Sequence, residues 1–231
     1  MNHPYRAGPF YLLLPLNTQP QRVTVNIAAL PDRPDLPVLA TADDKAYTMA
    51  ARQIASAKSV VIKAGGGTRG HDAAVRRLAE MSGAAVVLSP GSTGVLPDAH
   101  PQNMHVGGSK GSISGNFAMA NAELVIVIGS RAVCQADCSG IGYKSAKAVI
   151  NINGEFADAL HYNHTMALAG DIGAVIERLC VHLTGASASK ADWLKACAAK
   201  KAEWTAFKAA RFDAPPAFDP VWQRAVLYQP A

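Results

Sequence analysis

Three consecutive glycines, Gly65, Gly66 and Gly67, follow the apolar run of residues 59–64 and precede a helix-like stretch that begins near Asp72. Glycine has no Cβ atom, so its backbone N–H groups can approach a phosphate or a neighbouring chain closely. A strand, a glycine turn and a helix N-terminus in this order form a common anion-binding arrangement. Tight packing between strand and helix, with no ligand, is the alternative interpretation, and the sequence leaves both open.

A second glycine loop consists of Gly107, Gly108, Ser109 and Lys110. Its backbone could form an anion nest, with the Lys110 ammonium as a point charge. The loop lacks the order of lysine followed by serine or threonine that defines a P-loop. Loop flexibility explains the glycines equally well.

A third loop follows the apolar run of residues 124–128 and contains Gly129, Ser130 and Arg131. An arginine at the end of a strand can bind a pyrophosphate through two parallel hydrogen bonds. A surface ion pair is the alternative role of Arg131. Further along the chain, Gly170 and Asp171 precede a helical stretch, where Asp171 is expected to cap the helix and could also contact a ribose.

Other groups with catalytic or metal-binding chemistry form no recognisable pattern. Only Cys134 and Cys138 lie close in sequence among the four cysteines, so a zinc site is not predicted and free thiols are expected. His161 and His164 have no carboxylate or third histidine at metal-binding spacing. We therefore predict no catalytic residue and no metal ligand in this chain.

The regular part of the chain alternates between helical and strand-like segments, and its strands are apolar on both faces. Such strands predict a parallel sheet that is covered by helices on both sides. The expected fold is a three-layer α/β domain with about six parallel strands, and residues 95–109 are expected to be irregular because Pro97 and Pro101 favour extended structure. The predicted helices are 43–57, 72–81, 112–121, 172–183 and 190–211, and the predicted strands are 60–64, 84–88, 124–128, 148–152 and 166–169.

The ends of the chain suggest neighbouring domains. Residues 1–40 are interpreted as one buried strand, 7–15, and a proline-rich linker from an upstream domain. Residues 41–185 form the central nucleotide-type domain. Residues 186–231 form a helix and a linker toward a missing downstream domain.

The composition of the chain argues against a disordered protein and against membrane and nucleic-acid partners. The 231 residues are 49% hydrophobic and 17% charged, which argues against disorder. No apolar run reaches the roughly 18 residues of a membrane span, and no secretory signal is visible, so we expect a cytoplasmic protein with no membrane partner. The net charge of +5 reflects lysines of the late helix, which also carries Asp192 and Glu203. We interpret it as a solvated helix face and expect no nucleic-acid partner.

The motifs, in their order and spacing, resemble the central domain of the thiamine-diphosphate-dependent acetolactate synthase and 2-oxo acid decarboxylase family. The resemblance covers nearly the whole chain. It rests on a Gly-Pro-x-x-Leu strand at 8–12 with Pro15, the glycine turn at 64–67, the loop and helix from Gly107 to Glu123, Gly129-Ser130-Arg131, Asn151-Ile152-Asn153 in place of Asp-Ile-Asp, Gly170-Asp171, and Leu227-Tyr228-Gln229-Pro230.

This resemblance implies a Rossmann-like fold of the DHS-like NAD/FAD-binding type. It implies a parent enzyme that uses thiamine diphosphate and magnesium for carboligation or decarboxylation of 2-oxo acids, and that is a homo-oligomer. The chain lacks the family's Gly-Asp-Gly magnesium motif. Its own part would be structural, with FAD or ADP held at the three glycine loops, and the N- and C-terminal thiamine-diphosphate-binding domains as partners. The resemblance therefore implies no catalysis by this chain alone.

Two other functions remain open at this point. One is a free-standing nucleotide-binding protein that takes NAD or FAD in the same crevice. The other is the same central domain in a trihydroxycyclohexanedione hydrolase, which the Asn-Ile-Asn strand ending also resembles.

Overall fold

The computed structural model describes residues 11–26, 28, 39–40, 43–131, 134–138, 141–160, 162, 164–184 and 190–212. Its centre is a six-stranded sheet in which every pair of neighbouring strands is parallel. The order β3-β2-β1-β4-β5-β6 is that of a doubly wound nucleotide-binding fold. The strands are β1 (Val60–Ala64), β2 (Ala85–Leu88), β3 (Asn103–Val106), β4 (Leu124–Ile128), β5 (Ala148–Asn153) and β6 (Thr165–Ala169).

Helices cover both faces of this sheet, which confirms the predicted three-layer α/β class. One face packs against α1, α2 and α6, and the other packs against α3 and α7. Two short helices, α4 and α5, were not predicted. The helices are α1 (Asp44–Ser56), α2 (Asp72–Ser82), α3 (Ile113–Asn121), α4 (Cys134–Asp137), α5 (Phe156–Ala159), α6 (Ile172–Leu183) and α7 (Ala191–Phe212).

Local capping explains where the longer helices begin and end. The Asp43 side chain accepts a hydrogen bond from the Lys45 N–H at the start of α1. Asp171 accepts from the Ala174 N–H at 2.9 Å, so its predicted role as the cap of α6 is confirmed. Gly83 ends α2 in the left-handed conformation, with φ of 63°.

Strands β1, β2 and β4 are buried along their whole length, as expected for a sheet that is covered on both faces. Alternate residues of β1 divide between the two layers: Val60 and Ile62 join the α1/α2/α6 side, while Val61 joins the α3/α7 side. This alternation follows from the two-residue period of a strand.

Helix α7 crosses the second face and is held by residues spaced four apart. Trp193 and Cys197 are buried, and the Trp193 indole N–H donates to the Val60 carbonyl at 2.9 Å. Lys201 Nζ donates to the carbonyls of Asp98 and His100, at 2.7 Å each. The remaining charged side chains of α7 lie at the surface, in agreement with the predicted solvated face.

The prediction that residues 95–109 are irregular was wrong, because β3 lies within them. This short strand pairs with β2 through a bulge: Val86 is opposite Asn103, and Leu88 is opposite Val106. His105 adopts a φ of 61° in the bulged stretch. The strand contains two polar residues in four, so its apolar pattern is weak, and its formation depends on pairing with β2.

The buried strand at 7–15 stays a prediction, because its partner strands were expected in an upstream domain. Residues 7–10 lie outside the described residues, and so do Leu227-Tyr228-Gln229-Pro230. Tyr11 is 84% exposed and Leu14 is 55% exposed, in a segment without strand pairing. A strand needs a neighbour for its backbone hydrogen bonds, and the described residues supply none to this segment.

Across the described ranges, no helix combines the length and the apolar character that crossing a lipid bilayer requires.

Candidate functional site

The loops that follow β1 and β4 meet where the strand order reverses, which is the usual ligand crevice of such a sheet. The Gly65 N–H donates to the Ile128 carbonyl at 2.8 Å, and the Gly67 N–H donates to the Gly129 carbonyl at 3.0 Å. Two of the predicted glycine loops are therefore joined backbone to backbone.

This close approach requires glycine. A Cβ atom on Gly65 would lie 2.3 Å from the Gly129 carbonyl oxygen, and one on Gly67 would lie 2.9 Å from the Gly129 Cα. Gly129 itself has a φ of 56°, in the left-handed region. Tight packing, left open by the sequence, is thus one reason for these glycines.

Two adjoining cavities open beside the joined loops, with volumes of about 340 and 280 Å³. They share Gly67, Gly129, Asn153 and Asp158, and we call them together the crevice. The first is also lined by Gly65, Gly66, Ser89, Ser130, Arg131 and Ala136, and the second by His71, Gly154, Glu155, Gly170, Asp171 and Ile172.

The first cavity offers hydrogen-bond donors and a cation. Among the described residues, the backbone N–H groups of Ser130 and Arg131 donate to no acceptor. The Arg131 side chain is exposed, and it forms no ion pair within the described ranges. This end of the crevice is suited to an anionic group.

The second cavity is acidic. Glu155, Asp158 and Asp171 line it, and His71 is its one basic side chain. Carboxylates in such a crevice can accept hydrogen bonds from ribose hydroxyls, whereas they repel a phosphate. Asp158 lines both cavities, so the ends differ in that Arg131 lies only at the first, whereas Glu155 and Asp171 lie only at the second. A ligand with one anionic and one hydroxyl-rich part would match both.

Two asparagines of β5 join the walls of the crevice to the sheet. Asn153 Nδ2 donates to the Ser130 carbonyl at 3.2 Å, and its Oδ1 accepts from the Glu155 N–H at 3.4 Å. Asn151 Nδ2 donates to the Asp158 carbonyl at 2.9 Å. Ser130, Glu155 and Asp158 all line the crevice.

The structure does not bring Gly107, Gly108, Ser109 and Lys110 to the crevice lining. The N–H groups of the first three donate within the protein, to Leu88 O, Asn116 Oδ1 and Gln135 O respectively. A Cβ atom on Gly108 would lie 2.1 Å from the Gln135 carbonyl oxygen. This loop packs against α4, whose Ala136 lines the crevice.

Beneath α4 lies a buried polar cluster that sequence reasoning missed. Lys63, in the middle of β1, is fully buried and donates to the carbonyls of Leu88 and Gly107, at 3.1 and 3.3 Å. Burial lowers the pKa of its ammonium from 10.5 to about 8, against the attraction of Asp137 and Cys138. Asp137 is also buried and accepts a hydrogen bond from the Tyr162 hydroxyl.

All eight predicted site residues that follow β1, β4 and β6 line the crevice. Asn153, Asp158 and Ala136 also line it, and sequence reasoning missed them. Asn153 had a usable signal, because it ends a strand next to the switch point. Asp158 and Ala136 belong to the short helices that were not predicted. Within the described residues, no group of three or more histidine, cysteine, aspartate or glutamate side chains is arranged to hold a metal ion.

The central part of the sequence is similar to that of known proteins. Residues 47–179 match the family described as "Thiamine pyrophosphate enzyme, central domain". The chain is 30% identical over 152 residues to the acetolactate synthase large subunit of Mycobacterium tuberculosis, covering 62% of this chain and 24% of that protein. It is 30% identical over 126 residues to the isozyme 1 large subunit of acetolactate synthase from Escherichia coli, covering 54% and 22%.

A third relative matches more of the chain. The 3D-(3,5/4)-trihydroxycyclohexane-1,2-dione hydrolase of Listeria monocytogenes is 27% identical over 208 residues, which is 89% of this chain and 32% of that protein. The chain thus spans between about a fifth and a third of the length of these curated relatives.

Proposed function

Because the chain belongs to the family of thiamine pyrophosphate enzyme central domains, we propose that it is the non-catalytic middle part of a larger enzyme and holds an adenine nucleotide, FAD or ADP, in the crevice. The observation that carries the proposal is the crevice at the switch point. Arg131 and two N–H groups that no described residue accepts lie at one end, and Glu155 and Asp171 lie at the other. A diphosphate suits the first end and a ribose suits the second.

Thiamine diphosphate is assigned to the parent enzyme and not to this chain. The Gly-Asp-Gly magnesium motif of the family does not occur in the sequence. When bound in the parent enzyme, the coenzyme would supply an electron sink for carbon–carbon bond chemistry. The part of this chain would be to join and orient the domains that hold the coenzyme and its magnesium.

Carboligation or decarboxylation of a 2-oxo acid is the parent activity that we favour, because several relatives are named acetolactate synthases. The N- and C-terminal thiamine-diphosphate-binding domains would be the partners, and a homo-oligomer the assembly. A free-standing NAD- or FAD-binding protein is not favoured, because the family match covers residues 47–179. A cytoplasmic location stays a prediction from the sequence.

Calorimetric titration of the purified chain with ADP and with FAD tests the nucleotide role. We expect binding of one or both at a single site, and at least about tenfold weaker binding in Arg131→Ala, since a charged hydrogen bond contributes about 1.5–3 kcal/mol. Arg52→Ala is the control, because Arg52 is exposed on α1 and does not line the crevice. No binding of either ligand to the wild type would refute the proposal.

The cyclic dione hydrolase is a second candidate for the parent enzyme, because its match extends over 89% of this chain. An assay of the full polypeptide or complex that contains the chain, with thiamine diphosphate and magnesium, separates the two. Consumption of pyruvate supports the 2-oxo acid enzyme. Consumption of a polyhydroxylated cyclohexane-1,2-dione, with pyruvate ignored, supports the hydrolase.

A further inference from the structure

Asn151 and Asn153 occupy alternate positions of β5, so both side chains stand on the same face of the sheet. Asn151 is fully buried and Asn153 is 9% exposed. Buried amides at the end of a parallel strand need partners, and each of these donates to a backbone carbonyl of a different wall of the crevice.

The first bond fixes the wall after β4. Asn153 Nδ2 donates to Ser130 O, and this carbonyl is part of the peptide whose N–H belongs to Arg131. Because a peptide is planar, holding the carbonyl oxygen also sets the direction of the Arg131 N–H. That N–H is one of the donors at the anion-binding end of the crevice.

The second bond fixes the acidic wall. Asn151 Nδ2 donates to Asp158 O, next to the C-terminus of the one-turn helix α5. A helix of four residues has little stability of its own, so a buried hydrogen bond from the sheet is a large part of what holds it. Asn153 Oδ1 supports the same wall by accepting from the Glu155 N–H.

Both tasks need a side chain that can donate a hydrogen bond. An ionised aspartate at either position has no N–H to donate, and its oxygen would face a carbonyl oxygen at hydrogen-bond distance. The Asn-Ile-Asn ending of β5 thus supplies two donors that an ionised Asp-Ile-Asp lacks.

We propose that Asn151 and Asn153 are positioning residues, which set the two walls of the crevice through their amide N–H groups. The first half of the inference, the hold on the walls, concerns the protein alone. The second half, the effect on ligand binding, rests on the proposed nucleotide function.

Hydrogen exchange of the unliganded chain tests the first half. We expect exchange of the Gly67 and Gly129 N–H groups, which donate to Gly129 O and Ile152 O, to be about tenfold faster in Asn153→Asp than in the wild type, since loss of the neighbouring buried hydrogen bond costs about 1–3 kcal/mol. In Asn151→Asp the faster exchange should appear at residues 156–159. Unchanged exchange in both variants would overturn the positioning role.

Asn121→Asp is the matched control. Asn121 is exposed and also donates to a backbone carbonyl, that of Phe117 at 2.8 Å, at the end of α3 and away from the crevice. Its exchange at the Gly67 and Gly129 N–H groups should equal that of the wild type. If Asn153→Asp fails to fold, Asn153→Ser serves instead, because serine keeps a donor hydroxyl but is too short to reach the same carbonyl.

Titration with ADP and with adenosine tests the second half. Asn153→Ala releases the peptide that carries the Arg131 N–H, so it should weaken ADP about tenfold and adenosine less, because adenosine has no phosphate to accept from that N–H. Equal binding of ADP by Asn153→Ala and by the wild type would overturn this half. If the wild type binds neither ligand, the proposed nucleotide function fails, while the exchange experiment still decides the positioning role.

Discussion

Substitution of Gly65 by alanine tests the contact that builds the crevice. The added methyl would lie 2.3 Å from Gly129 O, 2.5 Å from Ser130 Cβ and 2.6 Å from Ser130 Cα. Two of these atoms belong to the backbone, so no side-chain rotation can relieve the overlap. The loops after β1 and β4 would have to separate, and their joining hydrogen bonds would be strained or lost.

The next residue, Gly66, offers a control. A Cβ atom on Gly66 would have as its nearest neighbour the Gly91 carbonyl oxygen at 3.9 Å, which is an ordinary contact. Its φ lies outside the left-handed region, so alanine is compatible with the backbone. Such a replacement is neutral or stabilises by about 0.4–1 kcal/mol, because it restricts the unfolded chain.

Overpacking that only backbone movement can relieve costs about 3 kcal/mol, the upper part of the usual range. For a chain of this length, each kcal/mol shifts Tm by about 2–4 °C. We therefore expect Gly65→Ala to lower Tm by about 6–12 °C and Gly66→Ala to leave it within about 2 °C, measured by circular dichroism at one pH and protein concentration. Equal Tm values for the two variants would refute the reasoning, since the difference between them depends wholly on the loop contact.

Three further results are expected. Asp171→Ala should lower the free energy of unfolding by about 1 kcal/mol in denaturant titrations, because the carboxylate accepts the Ala174 N–H at the start of α6. The hydrogen bond from Arg178 holds the pKa of Asp44 below its usual value, so the ionised carboxylate stabilises the folded state above that usual value. This stabilisation is lost as the pH falls through the lowered pKa. The Tm difference between the wild type and Asp44→Asn should therefore be visible at pH 6 and should disappear in acid. Lys63 has a pKa of about 8 in the folded state and of 10.5 in the unfolded state, so the unfolded state binds more protons between these values. The free energy of unfolding should therefore rise with pH, by about 1 kcal/mol from pH 7 to 9, relative to that of Lys63→Met.

Each of these expectations has its own control. Asp171→Asn keeps a capping oxygen and should retain most of the stability that Asp171→Ala loses. Asp72→Asn removes another first-turn acid, at the start of α2, that forms no ion pair with a described residue, and it should not reproduce the pH dependence of Asp44→Asn. Lys45→Met removes an exposed lysine of α1, and a pH dependence lost equally there would contradict the assignment to Lys63.

Most of the fold follows from local patterns in the sequence. Strands β1 and β4 are uninterrupted apolar runs, which only a doubly covered sheet buries, and their predicted bounds of 60–64 and 124–128 agree with the structure. Asp43 and Asp171 indicate the starts of α1 and α6, because a side-chain oxygen at the N-cap accepts a hydrogen bond from a backbone N–H of the first helical turn. These signals depend on residues near one another in the chain.

The short elements could not be found in this way. Strand β3 and helices α4 and α5 have four residues each, which is below the length at which periodicity can be recognised or at which a helix is stable alone. They form because β2 has an open edge and because Asn151 and the loop at 107–109 supply hydrogen bonds from elsewhere. Their existence is a tertiary effect.

Part of the candidate site could likewise be predicted from the sequence, and part could not. The glycine triplet and Arg131 could be singled out from the sequence, since their chemistry is carried by residue type and by position after a strand. Tertiary structure alone decided three features. Gly65 touches Gly129, the loop at 107–110 faces α4 and not the crevice, and Lys63 lies buried beside Asp137. The physical reason is that residue type sets which bonds a group can form, whereas only the packing of distant segments sets which partners come within reach.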